Sequence, residues 1–239
     1  MPREVLVVQH EPETPAGWVG DGLAAAGVRL TTCRPYAGDP LPLDLHGVDG
    51  LLVLGGAMDS WDDAGTPWLP ATRDLVRTAE RDSVPVLGIC LGHQVAAAAL
   101  GGTVGRNPAG TTLAVLPVAS TEPAGHDPLF RGVPLSMAVH WNNDVVLELP
   151  PGAEVTARSP DGAVQAARLG RHVWGVQFHP EAGSAIVGAW LAGEGTGLAV
   201  RGIDADAYLA DIRHHEPLLE QGGRRLGTAF AALLDGVRG

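Results

Sequence analysis

The chain has 239 residues, of which 45% are hydrophobic and 18% charged, and this composition excludes disordered and collagen-like proteins. The 16 basic residues are outnumbered by 27 acidic ones, and the formal net charge of -11 argues against nucleic acid and anionic membranes as partners. All of the basic residues are arginines, which excludes mechanisms that need a Schiff-base or Walker-type lysine.

The first hundred residues predict strands that alternate with helices. Strands are predicted over 4–8, 28–33, 48–54 and 84–89, and helices over 16–26, 67–82 and 95–100. The predicted strands are apolar on both faces, which is typical of a parallel sheet that helices cover on two sides.

After about residue 103 the pattern changes to short runs separated by Gly, Pro, Asp and Asn. The runs 111–118, 135–140, 154–157, 163–169 and 172–176 predict antiparallel strands and hairpins, and 182–191, 205–215 and 218–234 predict helices. We therefore expect one α/β domain over 1–239, with a mostly parallel sheet and an antiparallel extension in the C-terminal half.

A thiol stands at the corner between a predicted strand and a predicted helix, in the segment Gly88-Ile89-Cys90-Leu91-Gly92. Small residues on both sides of a nucleophile are typical of the strained turn called a nucleophile elbow. At a helix N-terminus the peptide dipoles favour the thiolate, and the Leu91 N–H points to where an oxyanion would form. Cys90 is therefore predicted to be a nucleophile, whereas Cys33 is expected to be a buried structural cysteine.

A base and a group to orient it occur together further along the chain. In the segment Gln177-Phe178-His179-Pro180-Glu181, the side chains of His179 and Glu181 lie two residues apart after an apolar strand, which places them on the same side. His179 is predicted to take the proton of Cys90, and Glu181 to orient the imidazole. Taken alone, such residues are more often a core histidine and an ordinary loop carboxylate.

A metal site is the competing interpretation of these residues. Cys90-x-x-His93 has a ligand spacing compatible with a helix, and His179-x-Glu181 mimics the His-x-Glu of zinc deaminases. Such deaminases also need a second cysteine cluster, and Cys33 is the only other thiol in the sequence. The sequence therefore predicts no metal and no other cofactor.

Together these motifs resemble the class I, or triad-type, glutamine amidotransferases, in particular the amidotransferase domain of GMP synthase. The resemblance rests on Gly88 to Gln94, on Gln177 to Glu181 and on the upstream Leu54-Gly55-Gly56, and it covers about residues 4–190. It implies a flavodoxin-like α/β fold. It also implies a Cys-His-Glu triad at Cys90, His179 and Glu181, which releases ammonia from glutamine through a γ-glutamyl thioester.

The resemblance implies further site residues as well. The second oxyanion donor in the family comes from the Gly-Gly loop, which corresponds to Gly56 or its neighbour Ala57, where the frequent Gly-Gly-Pro is replaced. Gln94 corresponds to a residue that helps to hold glutamine. Relatives fused to GMP synthetase carry Ser-His-Gly-Asp or Trp-His-Gly-Asp where this chain has Trp141-Asn142-Asn143-Asp144, so the Asp is kept and the His is not. Asp144 is therefore expected near the substrate.

Two enzymatic functions and one non-enzymatic function fit these residues. An amidotransferase needs an acceptor site, and 239 residues leave no room for a synthetase domain beside this one. Either a separate synthetase subunit takes the ammonia, or water takes the γ-glutamyl group and the protein is a stand-alone γ-glutamyl hydrolase or peptidase. A regulatory protein on an inactive triad fold usually lacks the nucleophile or the base, and both are present here. We expect a cytoplasmic glutaminase-type amidotransferase that acts on a small molecule.

Overall fold

The computed structural model describes residues 2–194 and 202–236. The strands are β1 Glu4–Val8, β2 Arg29–Cys33, β3 Gly50–Val53, β4 Val86–Ile89, β5 Thr103–Arg106, β6 Thr112–Pro117, β7 Ala119–Ser120, β8 Met137–Asn142, β9 Asp144–Glu148, β10 Glu154–Arg158, β11 Val164–Arg168 and β12 Val173–Val176. The helices are α1 Gly17–Ala25, α2 Leu69–Arg81, α3 Leu91–Ala99, α4 Ser184–Glu194 and α5 Ala205–Leu233. In this described part of the chain, no helix is long and apolar enough to cross a membrane.

An eight-stranded sheet forms the centre of the fold, in the order β2-β1-β3-β4-β12-β11-β10-β7. The strands from β2 to β12 run parallel to one another, whereas β11, β10 and β7 add in antiparallel directions. Strand β5 pairs with β9, and β6 with β8, in two small antiparallel sheets. The parallel half has the strand order of a flavodoxin-like fold, so the predicted fold class is confirmed.

Strand β1 explains why helices cover both faces of the sheet. Val5 and Val7 belong to one buried cluster, which includes side chains of α1 and α5. Leu6 and Val8 point to the opposite face and belong to a second cluster, which includes side chains of α2. Because successive side chains of a strand alternate between faces, an apolar strand of this kind is stable only between two helical layers.

The prediction that residues 172–176 belong to the antiparallel part is only half right. Strand β12 is antiparallel to β11 but parallel to β4, with Val176 opposite Ile89. All four of its residues are buried, as expected of a strand in the middle of a sheet. The carboxyl ends of β4 and β12 therefore lie side by side, and so do Cys90 and Gln177, the first residues after them.

The prediction of separate helices over 205–215 and 218–234 is wrong. The structure has one continuous helix, α5, with Pro217 inside it. Proline disfavours a helix interior, but Ile212, Leu219 and Leu226 are all buried at the same heptad spacing on either side of it. The packing of this one apolar face therefore outweighs the local effect of the proline.

Candidate active site

Cys90 lies at the sharp corner between β4 and α3. Its backbone has φ 51° and ψ -105°, a conformation that residues other than glycine rarely adopt. Its N–H donates to the carbonyl of Val176 in β12 at 2.8 Å, which ties the corner to the neighbouring strand. The corner thus holds the thiol at the carboxyl end of the parallel strands, where α/β proteins bind their ligands.

Two glycines make this corner sterically possible. A Cβ on Gly88 would lie 2.5 Å from the carbonyl carbon of Gly92, and a Cβ on Gly92 would lie 2.0 Å from the carbonyl oxygen of Val53. Both distances are far inside van der Waals contact, so only glycine fits at either position. Helix α3 can therefore begin in direct contact with β3 and β4.

The loop after β12 carries His179 and Glu181, whose side chains are both buried. Nδ1 of His179 lies 2.7 Å from Oε1 of Glu181. Burial alone would lower the pKa of His179, but the Glu181 carboxylate and the neighbouring sulfur of Cys90 raise this pKa well above its ordinary value. The imidazole therefore favours its protonated form between a carboxylate and a thiol.

Two further polar groups approach the sulfur of Cys90. The carbonyl oxygen of Trp141 lies 3.8 Å from Sγ, and Nε2 of Gln177 lies 3.7 Å from it. The Trp141 carbonyl also lies 3.3 Å from Nε2 of His179. The ring of Trp190 packs edge-to-face on the imidazole, with 4.8 Å between ring centroids. The imidazole is thus restrained at both nitrogens and on one face.

The loop after β3 brings backbone N–H groups to the same place. The N–H of Ala57 donates to Oε1 of Glu11 at 3.0 Å, whereas that of Gly56 has no hydrogen-bond partner among the residues that the structure describes. Leu91 is the first residue of α3, so its N–H has no carbonyl partner within the helix. A Cβ on Gly56 would lie 3.0 Å from the Leu91 side chain, which shows how closely the loop and the helix start approach.

A cavity of about 660 Å³ lies in front of Cys90 and His179, within the usual size range of small-molecule sites. Its remaining walls combine apolar and acidic side chains, and are formed by Glu11, Glu13, Thr14, Gly56, Ala57, Trp141, Ala189, Trp190, Ala192, Gly193 and Glu194. Over residues 2–194 and 202–236, no group of three or more His, Cys, Asp or Glu side chains is arranged to hold a metal ion.

Comparison with known proteins decides the family. Residues 18–189, which include the Cys90 corner and His179, match the family model described as glutamine amidotransferase class-I. The chain belongs to this family. The resemblance seen in the sequence motifs is thereby confirmed.

Relatives of this amidotransferase include a peptidase as well as parts of synthases. The chain is 42% identical over 102 residues to a glutamine-hydrolyzing GMP synthase subunit of Thermococcus kodakarensis, covering 41% of this chain and 52% of the relative. It is 32% identical over 143 residues to "Gamma-glutamyl peptidase 5" of Arabidopsis thaliana, covering 58% of this chain and 55% of the relative. The chain thus spans about half the length of these curated relatives.

A solved structure shares the whole fold. The crystal structure of a glutamine amidotransferase from Thermotoga maritima matches this amidotransferase with a TM-score of 0.86 at 24% sequence identity. The match covers 97% of this chain and 99% of the other. At this identity the match establishes the fold and leaves the substrate open.

The two residues that the amidotransferase motifs predict at the substrate are not among the residues that line the cavity. Gln94 is buried in α3, and its Nε2 donates to the carbonyl of Asp144 at 2.9 Å and to Oε1 of Gln177 at 3.4 Å. The carboxylate of Asp144 accepts a hydrogen bond from Arg106 at 2.9 Å. Within the described residues, neither Gln94 nor Asp144 lines the cavity. Their direct contact with a substrate therefore stays a prediction.

Several residues that border the site have no role predicted from the sequence. Glu11 lies just after β1, and its position at the carboxyl end of a parallel strand is the signal that could have identified it. Trp190 lies on α4, and its Nε1 donates to the carbonyl of Glu13 at 2.7 Å, which places the ring over His179. No local pattern connects Trp190 to the histidine, so only the folded structure reveals this contact.

Proposed function

We propose that this amidotransferase releases ammonia from glutamine through a γ-glutamyl thioester on Cys90 and delivers it to a separate acceptor enzyme. The observation that carries the proposal is the buried pair of His179 and Glu181, 2.7 Å apart, held beside a thiol on a strained corner. The similarity to a protein named as one subunit of GMP synthase supports a separate synthetase as the partner.

In the first half-reaction, Sγ of Cys90 passes its proton to Nε2 of His179, and the thiolate attacks the amide carbon of glutamine. A C–S bond forms, and the carbonyl oxygen takes the negative charge. The N–H groups of Gly56 and Leu91 stabilise this oxyanion. His179 then protonates the leaving nitrogen, the C–N bond breaks and ammonia departs.

In the second half-reaction, His179 takes a proton from water, whose oxygen attacks the thioester carbon. The same two N–H groups hold the oxyanion, the C–S bond breaks and glutamate leaves. Glu181 fixes the imidazole through Nδ1 and stabilises its protonated form. The raised pKa of His179 supports this scheme, because it makes the imidazole a stronger base towards the thiol proton.

A stand-alone γ-glutamyl hydrolase or peptidase is the second candidate function. The cavity of about 660 Å³ leaves room for a leaving group larger than ammonia, and one relative is named a gamma-glutamyl peptidase. The chemistry would be the same, with an amine in place of ammonia and water as the final acceptor.

Substrate profiling of the purified chain separates the two functions. Glutamine, glutathione and γ-glutamyl amides are supplied separately, and glutamate, ammonia and amine release are measured. We expect weak glutaminase activity from the chain alone, because an amidotransferase that waits for its synthetase keeps idle hydrolysis low. A kcat/KM for a peptide far above that for glutamine, without any partner, would replace the first function by the second.

Active-site labelling tests the nucleophile independently of turnover. A diazoketone analogue of glutamine should alkylate Cys90 alone, as read by peptide mass spectrometry. Cys33 is the matched control, because it is a second buried thiol in the same chain. Labelling of Cys33, or turnover retained in Cys90→Ala, contradicts the proposal.

A further inference from the structure

Glu11 is a carboxylate in the wall of the catalytic cavity that the mechanism above does not use. It lies just after β1 at the carboxyl end of the parallel strands and lines the same cavity as Cys90 and His179. A partly buried carboxylate needs a partner, since burial without one costs free energy.

The segment that carries Glu11 is itself fixed. The carbonyl of Glu11 accepts hydrogen bonds from Nε2 of Gln9 at 2.7 Å, from Oγ1 of Thr14 at 3.1 Å and from the N–H of Thr14 at 3.3 Å. Gln9 and Thr14 are both buried. Three donors on one carbonyl define the position of the backbone, so the side chain extends into the cavity from a fixed point.

From this point the carboxylate reaches the loop after β3, where Oε1 accepts a hydrogen bond from the N–H of Ala57 at 3.0 Å. Ala57 follows two glycines, and glycine restricts backbone rotation less than any other residue. The Gly55–Gly56 peptide, which carries the proposed oxyanion donor, therefore needs a restraint from outside. Adjacent peptides share the Cα of Gly56, so fixing the peptide that carries the Ala57 N–H also limits the direction of the Gly56 N–H.

We propose that Glu11 is a positioning residue of the oxyanion hole: by holding the N–H of Ala57, its carboxylate aims the N–H of Gly56 at the oxyanion formed on Cys90. This inference rests on the proposed function. The residue at position 57 makes an outside restraint useful, because alanine, unlike proline, does not fix its own backbone angle φ. A proline ring restrains its own backbone and has no N–H to satisfy. Alanine needs another residue to restrain its backbone and to accept the hydrogen bond from its N–H.

The first test compares Glu11→Ala with Glu11→Gln, whose amide oxygen can still accept the hydrogen bond from Ala57. Complete loss of one oxyanion donor costs about 10²- to 10³-fold in kcat, so a donor that is only misaligned in Glu11→Ala should cost roughly 10- to 100-fold. The KM for the γ-glutamyl substrate should stay nearly constant. Glu11→Gln should keep most of the activity, and so should Glu122→Ala, which removes an exposed carboxylate away from the cavity.

A double-mutant cycle tests whether Glu11 acts through Ala57. Ala57→Pro removes the N–H that Glu11 holds and restrains the loop by its own ring. On this background Glu11→Ala should cause no further loss of kcat, so the two changes should be non-additive. Full additivity would mean that Glu11 acts on something other than Ala57.

Alkylation of Cys90 by iodoacetamide provides a readout that remains even if Ala57→Pro does not fold. This reaction forms no oxyanion, so Glu11→Ala should alkylate at the wild-type rate while its kcat falls. An equal loss in both reactions overturns the inference, because it indicates general damage to the thiol or the fold. A Glu11→Gln variant as impaired as Glu11→Ala, or a change in KM alone, also overturns it and points to contact with the ammonium group of the substrate.

The two proposals can fail separately. A wild-type chain that transfers no γ-glutamyl group from any substrate overturns the proposed function and this inference with it. An active wild-type chain whose kcat does not change in Glu11→Ala overturns the inference alone.

Discussion

Replacement of His93 tests how burial of a polar ring affects the acid stability of this amidotransferase. His93 lies in α3 with no exposed surface, and neither ring nitrogen has a hydrogen-bond partner among the described residues. Burial lowers the pKa of His93 from its ordinary value of 6.5 to about 4. Between these two pH values the unfolded chain binds more protons than the folded one, so stability falls as the pH falls.

The magnitude follows from the size of this shift. Each pKa unit corresponds to about 1.4 kcal/mol, so lowering the pH from 7 to 5 should cost about 2 kcal/mol of unfolding free energy through His93 alone. His93→Met removes the titrating ring and leaves an apolar, unbranched side chain. Its packing cost is the same at both pH values and therefore cancels. Relative to the parent, the variant should gain about 2 kcal/mol between pH 7 and pH 5.

Urea unfolding followed by circular dichroism at the two pH values measures this difference. His126→Gln removes an exposed imidazole and controls for the loss of a histidine as such. A stability difference between His93→Met and the parent that is equal at pH 7 and pH 5 would refute the reasoning. It would mean that the folded protein accepts a proton on His93 as easily as the unfolded chain does.

Three further predictions concern the proposed catalytic unit and its support. His179→Ala should lower kcat on the order of 10⁴-fold, and Glu181→Gln should lower it less. The double variant should be no worse than His179→Ala, because the effects of residues that act as a unit are not additive. Additive losses of kcat in steady-state assays would contradict this. Gly92→Ala should lower the melting temperature, with a cost of about 1–3 kcal/mol or more from overlap with a β3 carbonyl. Gly188→Ala, which meets no atom within 4 Å in the middle of α4, should instead stabilise by about 0.5–1 kcal/mol. Trp190→Ala should lower kcat about tenfold by removing the ring that packs on the His179 imidazole, whereas Trp190→Phe should keep most of the kcat. Equal kcat values for the two variants would exclude support of the imidazole by the ring.

Local signals predict the parts of the fold that one segment determines by itself. The apolar run of β4, the glycines on either side of Cys90 and the alanines of α3 mark the Cys90 corner without any knowledge of the rest of the chain. The direction of β12 is different, because a strand that is apolar on both faces fits either orientation until its neighbours β4 and β11 are known. Strand β5 is at least partly exposed along its whole length, so it shows no apolar alternation that could have revealed it.

The same distinction applies to the candidate site. The spacing of His179 and Glu181 is local, and it already places both side chains together. The hydrogen bond between Glu11 and Ala57 joins residues 46 positions apart, and no sequence pattern around either residue predicts the contact. Long-range contacts of this kind depend on the order of strands in the sheet, which composition and periodicity do not encode.

The position of β12 determines when Cys90 meets its proposed base during synthesis and folding. Among the described strands, β12 comes last along the chain, yet it sits in the interior of the sheet between β4 and β11. Cys90 is synthesised long before His179. The Val176 carbonyl that accepts the hydrogen bond from the Cys90 N–H belongs to β12 and is therefore also synthesised late. A nascent or incompletely folded chain therefore holds Cys90 apart from its proposed base, and the two meet only when β12 closes the sheet.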